Sequence, residues 1–132
     1  MIRQVDESMM VGGQLYPERI ADLGVTMIVN NRPDGEEPGQ PTSDEIEAAA
    51  RAAGIAYRHI PVAGGFSQPM VAEMEEALAA TEGPVLAFCK SGMRSVFLWA
   101  LARARMGDDA DTIATKAAAA GYDVTPIRQY LG

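Results

Sequence analysis

Short runs of apolar residues alternate along this chain with longer segments of helical periodicity. Four of the apolar runs have the length of β-strands, and they are Met9–Val11, Thr26–Asn30, Ala56–Val62 and Pro84–Phe88. The second and fourth are apolar or β-branched without clean alternation, which is typical of strands covered on both faces. They are therefore predicted as the central strands of a buried sheet.

Six segments between and after these runs have the pattern of helices. They are Pro17–Leu23, Thr42–Ala53, Ser67–Ala80, Ser95–Met106, Asp109–Ala120 and Thr125–Leu131. Thr42 and Glu45 have the spacing of a capping box, and Thr125 followed by Pro126 resembles a helix start. Strands that alternate with helices predict an α/β fold in three layers, with a largely parallel central sheet of about four to five strands flanked by helices.

Composition and charge limit the possible partners. The 132 residues are 48% hydrophobic, which suits one domain spanning residues 1–132. The net charge of −7 disfavours nucleic acid and anionic membranes as partners. The N-terminus lacks the apolar stretch of a secretory signal, and the apolar run Val96–Ala102 is too short to span a bilayer. We therefore expect a soluble, cytoplasmic protein.

The strongest chemical pattern lies between the last predicted strand and the helix after it. This cysteine loop has the sequence Cys89-Lys90-Ser91-Gly92-Met93-Arg94-Ser95. Its backbone N–H groups, the helix start and the Arg94 side chain predict an anion-binding site, with Gly92 permitting the tight turn. The same positive groups stabilise a thiolate, so Cys89 is the candidate nucleophile. Ser95 is expected to hydrogen-bond the sulfur or a leaving group.

Other roles for these residues stay open. Cys89 is the only cysteine, so no internal disulfide or cysteine zinc cluster forms, and a lone cysteine after an apolar strand is often a core residue. Asp34 is either a general acid beside the loop or a turn residue within Pro33-Asp34-Gly35. Arg32 either helps to bind the anion or pairs with the acidic residues after it. The acidic stretch 35–37 is typical of a solvated loop, and Lys90 is expected to project from the cysteine loop.

The cysteine loop resembles those of two enzyme superfamilies. Tyrosine and dual-specificity phosphatases share the order of strand, cysteine loop, arginine and helix, but five residues separate their cysteine and arginine. Four residues separate Cys89 from Arg94, which is the spacing typical of rhodanese sulfurtransferases.

Over nearly its whole length the chain is similar to a bacterial phosphatase-like family of unknown function, the phosphatase-like domain of beta-lactamase hydrolase-like proteins. The similarity rests on Gly13-Gln14, residues 28–36, 60–62 and 83–87, the cysteine loop, and residues 99–101 and 120–123. The resemblance implies a dual-specificity-phosphatase-like fold that carries a loop of rhodanese length. It implies no metal or organic cofactor. Because this domain also occurs fused to persulfide-dioxygenase-type proteins, the resemblance also implies a protein of that type as a partner.

Two departures from the phosphatase pattern favour sulfur transfer. Phe88 stands where phosphatases usually have histidine, and the loop Ala63–Ser67 lacks their aspartic general acid. Cleavage of a phosphate ester needs a proton donor for the leaving oxygen, whereas sulfite and thiolates leave more readily. We therefore expect Cys89 to accept sulfane sulfur from thiosulfate or a persulfide. The alternatives are a phosphatase that acts on phosphate esters with Asp34 as acid, and a non-catalytic anion or persulfide sensor.

Overall fold

The computed structural model describes residues 2–132, in which a five-stranded sheet lies between two layers of helices. Its elements are β1 (Ile2–Gln4), β2 (Met9–Gly12), a 3₁₀ helix (Pro17–Asp22), β3 (Met27–Asn30), α1 (Ser43–Ala52), β4 (Ala56–His59), α2 (Gln68–Ala79), β5 (Val85–Phe88), α3 (Met93–Arg105), α4 (Ala110–Ala119) and a second 3₁₀ helix (Thr125–Tyr130). The strand order is β1-β2-β5-β3-β4, and only β1 pairs in the antiparallel sense. The predicted three-layer α/β fold is therefore confirmed.

The two faces of the sheet pack against different helices, because successive residues of a strand point to opposite faces. Val29 on β3 and Ala87 on β5 belong to the core shared with α2, α3 and α4. Ile28 and Leu86, one position earlier, belong to the core shared with α1 and the first 3₁₀ helix. Every residue of β3 and β5 is buried, which explains why neither strand alternates in sequence. No helix within residues 2–132 is long and apolar enough to cross a bilayer.

Polar side chains begin α1, α2 and α4, but not α3. Thr42 accepts a hydrogen bond from the backbone N–H of Glu45, whose carboxylate accepts one from Thr42 in return. Ser67 and Asp109 cap α2 and α4 in a similar way. The residue before α3 is Gly92, in a left-handed conformation with φ 96° and no side-chain cap. The first turn of α3 therefore leaves backbone donors available beside the cysteine loop.

The structure differs from the predicted elements at the ends of the chain and at several boundaries. The hydrophobic pattern does not predict β1, because the three residues of this strand are exposed and pair only with β2. Pro17–Leu23 and Thr125–Leu131 form short 3₁₀ helices, and Thr125 lies inside the second one and does not cap it. The third predicted strand ends at His59, and the helix predicted from Ser95 begins at Met93.

Thr42→Ala should lower the free energy of unfolding by about 1 kcal/mol, because it removes the hydroxyl that caps α1. The matched control is Thr115→Ala in α4, an exposed helical position where alanine is favoured by a few tenths of a kcal/mol, about 0.5 at most. Urea unfolding of both variants measures the difference. Equal changes in the two variants would contradict the assigned cap.

Candidate active site

Four parallel strands end at one edge of the sheet, and the residues that follow them form the candidate site. Gln14 follows β2, Arg32 follows β3, Val62 lies beyond β4 and Cys89 follows β5. Because β5 lies between β2 and β3, Cys89 emerges in the middle of this edge. This is where open α/β sheets bind their ligands.

The cysteine loop places the sulfur under a backbone donor. The N–H of Gly92 donates to Cys89 Sγ at 3.1 Å, and the Cys89 side chain is fully buried. Burial alone would also suit a core cysteine. The N–H directed at the sulfur and the start of α3 next to it are what favour a nucleophile over a core residue.

Two glycines and a tyrosine hold the loop in this shape. A Cβ on Gly92 would lie 2.3 Å from Tyr122 Oη, and a Cβ on Gly13 would lie 2.9 Å from the Lys90 carbonyl oxygen. The Tyr122 hydroxyl donates to the Ser91 carbonyl at 3.1 Å. The loop is therefore supported by the chain after β2 and by the segment after α4, and both contacts require the absence of a side chain at the glycine.

Arg94 is oriented by a carboxylate from the loop after β3. Its Nη1 and Nη2 donate to the two oxygens of Glu36 at 2.8 and 2.9 Å, and Nη1 also donates to the Val62 carbonyl at 2.9 Å. These three hydrogen bonds use three of the five N–H donors of an arginine. The N–H groups of Arg94 that Glu36 and Val62 do not engage face the neighbourhood of Cys89, whose side chain also interacts with Arg94, and they are the donors that a bound anion could use.

The pKa values of this pair follow from their contact. The hydrogen bond from Arg94 is the largest cause that lowers the pKa of Glu36 to about 2, and Arg32 adds to the shift while burial opposes it. The hydrogen bonds to Glu36 raise the pKa of Arg94, and the charge of the nearby Cys89 raises it further. Both groups are therefore charged at neutral pH, and Arg94 is a fixed cation beside the sulfur.

The side chain of Arg32 lies among the acidic residues after it, and its role in binding an anion stays a prediction. Its side chain is 1% exposed, with Nε 2.8 Å from Glu36, Nη1 donating to Gln14 Oε1 at 2.9 Å and Nη2 3.1 Å from Glu37. Its pairing with the acidic residues, the other predicted role, is what the geometry supports. The stretch 35–37 is thus part of the site and not simply a solvated loop.

Asp34 and Ser95 form hydrogen bonds away from the sulfur. Asp34 Oδ1 accepts from the backbone N–H of Ser43, the first residue of α1, at 2.8 Å. The buried Ser95 hydroxyl donates to Asn31 Oδ1 at 2.8 Å and not to the sulfur, and its predicted contact with a leaving group stays a prediction. No hydrogen bond within residues 2–132 joins Asp34 to the cysteine loop, so its role as an acid stays a prediction.

The remaining residues of the loop lie at the surface. Lys90 projects with its side chain 65% exposed and Nζ 3.8 Å from Glu37. Ser91 is exposed and Met93 is 39% exposed. These residues can therefore contribute backbone N–H groups to an anion, while their side chains remain in solvent.

Glu36 and Tyr122 are the important residues that the sequence did not reveal. Glu36 lies 58 residues before Arg94, and Tyr122 lies 31 residues after Ser91, so no local spacing links either pair. Both residues fall within stretches that carry the family resemblance, and that resemblance was the only sequence signal for their importance. The only histidine, His59, is hydrogen-bonded through Nε2 to the Arg32 carbonyl at 2.9 Å, and no cluster of three or more potential metal ligands exists within residues 2–132.

Comparison with known proteins identifies the family of the chain. Residues 1–106 match the family model of the beta-lactamase hydrolase-like protein, phosphatase-like domain. The chain belongs to this family. A beta-lactamase hydrolase-like protein from Xylella fastidiosa is 41% identical over 104 residues, which cover 76% of this chain and 24% of that protein. The chain thus spans about a quarter of the length of the curated relatives that it matches.

Solved structures agree with the family assignment. A candidate phosphatase from Neisseria meningitidis is 35% identical, with a TM-score of 0.83 over 98% of this chain and 95% of that one. The core catalytic domain of the PP-IP phosphatase Siw14 from Saccharomyces cerevisiae has a TM-score of 0.69 over 98% of this chain and 82% of that one. At 16% identity, the second match shows a shared fold only. The family and the fold are therefore phosphatase-like.

Gly92→Ala should weaken protection of Cys89 by phosphate against alkylation by about tenfold, because the clash with Tyr122 displaces a backbone donor of the anion site. The matched control is Gly107→Ala, at φ 103° with nothing within 4 Å of an added Cβ. It carries a similar backbone strain but leaves the loop untouched. Alkylation rates measured with and without phosphate test this, and equal effects of both variants would argue against the assigned contact.

Glu36→Gln should be less stable than the wild type above about pH 5, and this difference should shrink as the pH falls. The folded state lowers the pKa of Glu36 from 4.5 to about 2, so its stabilising charge is fully present above 4.5 and lost as the pH falls towards 2. Urea unfolding at pH 3, 4 and 6 measures the difference. The control Glu47→Gln removes an exposed pair with Arg51 and should cost less than about 0.5 kcal/mol. A difference that is independent of pH would contradict the Glu36 assignment.

Proposed function

We propose that the chain is a cysteine-dependent hydrolase of phosphatase type, with Cys89 as its nucleophile. The observation that carries the proposal is the Cys89 sulfur, held by the Gly92 N–H at the start of α3 beside an Arg94 oriented by Glu36. This places a cysteine nucleophile and an anion site together, as covalent transfer of an anionic group requires. Membership of a phosphatase-like family and the Neisseria meningitidis relative support it.

The reaction proceeds in two steps in this proposal. The Cys89 thiolate attacks the phosphorus of a small phosphate ester, the ester oxygen leaves with its electron pair, and water then hydrolyses the phospho-cysteine. The loop N–H groups and the donors of Arg94 that Glu36 and Val62 do not engage stabilise the negative charge on the transferred oxygens. Asp34, which uses one oxygen to cap α1, is the candidate proton donor for the leaving group. Aryl phosphates, whose leaving groups need little protonation, are the substrates expected to react fastest.

Sulfane sulfur transfer is the second candidate, and the four-residue spacing between Cys89 and Arg94 favours it. The thiolate attacks the outer sulfur of thiosulfate, sulfite leaves, and Cys89 becomes a persulfide. An acceptor thiolate then takes the outer sulfur and releases the Cys89 thiolate. The absence of an acidic side chain from Ala63–Ser67 also suits this reaction, because sulfite leaves without a proton.

The proposal also covers the compartment and the partners of the chain. A single free thiol that must stay reduced suits the cytoplasm, and residues 1–132 act as one domain. For the sulfur-transfer candidate, the partner is a persulfide-dioxygenase-type protein that consumes the persulfide product. Nucleic acid and membranes are not proposed as partners, because the chain carries a net charge of −7.

One sample distinguishes the two reactions. Purified protein is incubated with thiosulfate or glutathione persulfide, and its intact mass is measured by mass spectrometry. A parallel aliquot is assayed for hydrolysis of an aryl phosphate. Release of phosphate over many turnovers without sulfur uptake supports the phosphatase. A gain of one sulfur atom on Cys89, discharged by a thiol, would replace the phosphatase with sulfur transfer. Sulfur uptake without turnover would instead indicate a sensor.

Cys89→Ser is the decisive variant for both reactions. It should lower turnover by about a thousandfold or more, because a hydroxyl is a far weaker nucleophile than a thiolate at neutral pH. It should still bind phosphate, since the loop N–H groups and Arg94 remain. Calorimetry measures that binding. Full activity in this variant would exclude Cys89 as the nucleophile.

A further inference from the structure

Three cationic side chains at the candidate site, those of Arg32, Lys90 and Arg94, are each paired with a carboxylate of Glu36 or Glu37. Glu36 contacts Arg94 at 2.8 and 2.9 Å and Arg32 at 2.8 Å. Glu37 contacts Arg32 at 3.1 Å and Lys90 at 3.8 Å. The cations that would attract an anion are therefore already partly neutralised by the protein.

The formal charges at the site nearly cancel. Three cationic side chains and two carboxylates leave a net charge of +1, and an ionised sulfur would reduce it to zero. The whole chain carries a net charge of −7. The site therefore has no extended positive field, and it attracts an anion only through hydrogen bonds at contact distance.

Glu36 and Glu37 differ in how they act on the site. Glu36 holds the guanidinium of Arg94 in place, so it is a positioning residue. Glu37 lies near two cations, Arg32 Nη2 and the exposed Lys90. Its contact with Arg32 Nη2 is an ion pair without a well-aligned hydrogen bond. Its own side chain is 46% exposed, at the rim of the site. Glu37 therefore contributes mainly its negative charge.

We propose that Glu37 restricts the cysteine loop to small anions of low charge and excludes ligands with clustered charges such as polyphosphates. The inference rests on the proposed function, because it requires an anion at the loop. A single phosphate or thiosulfate group is held by the loop N–H groups and Arg94. Any further charged group of the ligand extends towards the rim, where Glu37 repels it and cancels the attraction of Lys90.

The size of the effect follows from Coulomb's law. Two unit charges about 8 Å apart in water change a binding constant by about twofold at low salt. Tripolyphosphate carries roughly two to three more charges than phosphate at neutral pH. Removing the charge of Glu37 should therefore tighten the binding of tripolyphosphate by about four- to eightfold more than that of phosphate.

Protection of Cys89 from alkylation by neutral iodoacetamide tests this without requiring turnover. Phosphate, thiosulfate, pyrophosphate and tripolyphosphate are titrated at low ionic strength against the wild type, Glu37→Gln and Glu76→Gln. Glu76 pairs with Arg58 and contacts no site cation, so its variant makes the same change in net charge elsewhere. The wild type should bind tripolyphosphate no more tightly than phosphate. Only Glu37→Gln should gain affinity for tripolyphosphate, and high salt should remove the gain.

Three results would overturn the inference. The first is a wild type that already binds tripolyphosphate more than about tenfold more tightly than phosphate. The second is an equal gain in Glu37→Gln and Glu76→Gln, which would show an effect of net charge alone. In both cases the binding of phosphate, and with it the proposed function, survives. If neither phosphate nor thiosulfate protects Cys89, the anion site itself is wrong and both proposals fail.

Discussion

Arg94 stands in the first turn of α3 and Glu36 in the loop after β3, and their paired hydrogen bonds join two segments 58 residues apart. Glu36 also binds the buried Arg32, so one carboxylate contacts two guanidinium groups. A buried cation without a partner is costly, which makes this joint a structural requirement as well as a functional one. The anion site, the loop after β3 and the start of α3 therefore form only together.

The backbone of the cysteine loop obeys a second constraint. A helix start needs acceptors for its first N–H groups, and α3 has no capping side chain at Gly92. The Cys89 sulfur accepts one of these N–H groups, and an anion would accept others. The start of α3 therefore keeps backbone N–H groups unpaired and available to a ligand. The close contacts at Gly13 and with Tyr122 hold the cysteine loop in this shape.

Local chemistry explains which parts were predictable from the sequence. The unbroken apolar runs of β3 and β5 and the capping box of α1 act through neighbours a few residues away, so pattern and spacing revealed them. The contacts of Glu36 and Tyr122 depend on how strands order themselves in the sheet, which local spacing does not encode. Arg32 illustrates the difference: the sequence placed it beside acidic residues, but only the packed structure shows that its side chain is buried and pairs with both Glu36 and Glu37.

Anion binding and leaving-group chemistry are separate demands on this site. The loop N–H groups and Arg94 suit a phosphate and a thiosulfate equally well, because both present negative oxygens on a tetrahedral centre. What divides the two reactions is the proton required by an ester oxygen and not by sulfite. Asp34 has one oxygen fixed by α1, and Ala63–Ser67 offers no acid in its place. The phosphatase-like fold therefore supplies the nucleophile and the anion site, and the leaving group determines which reaction they can complete.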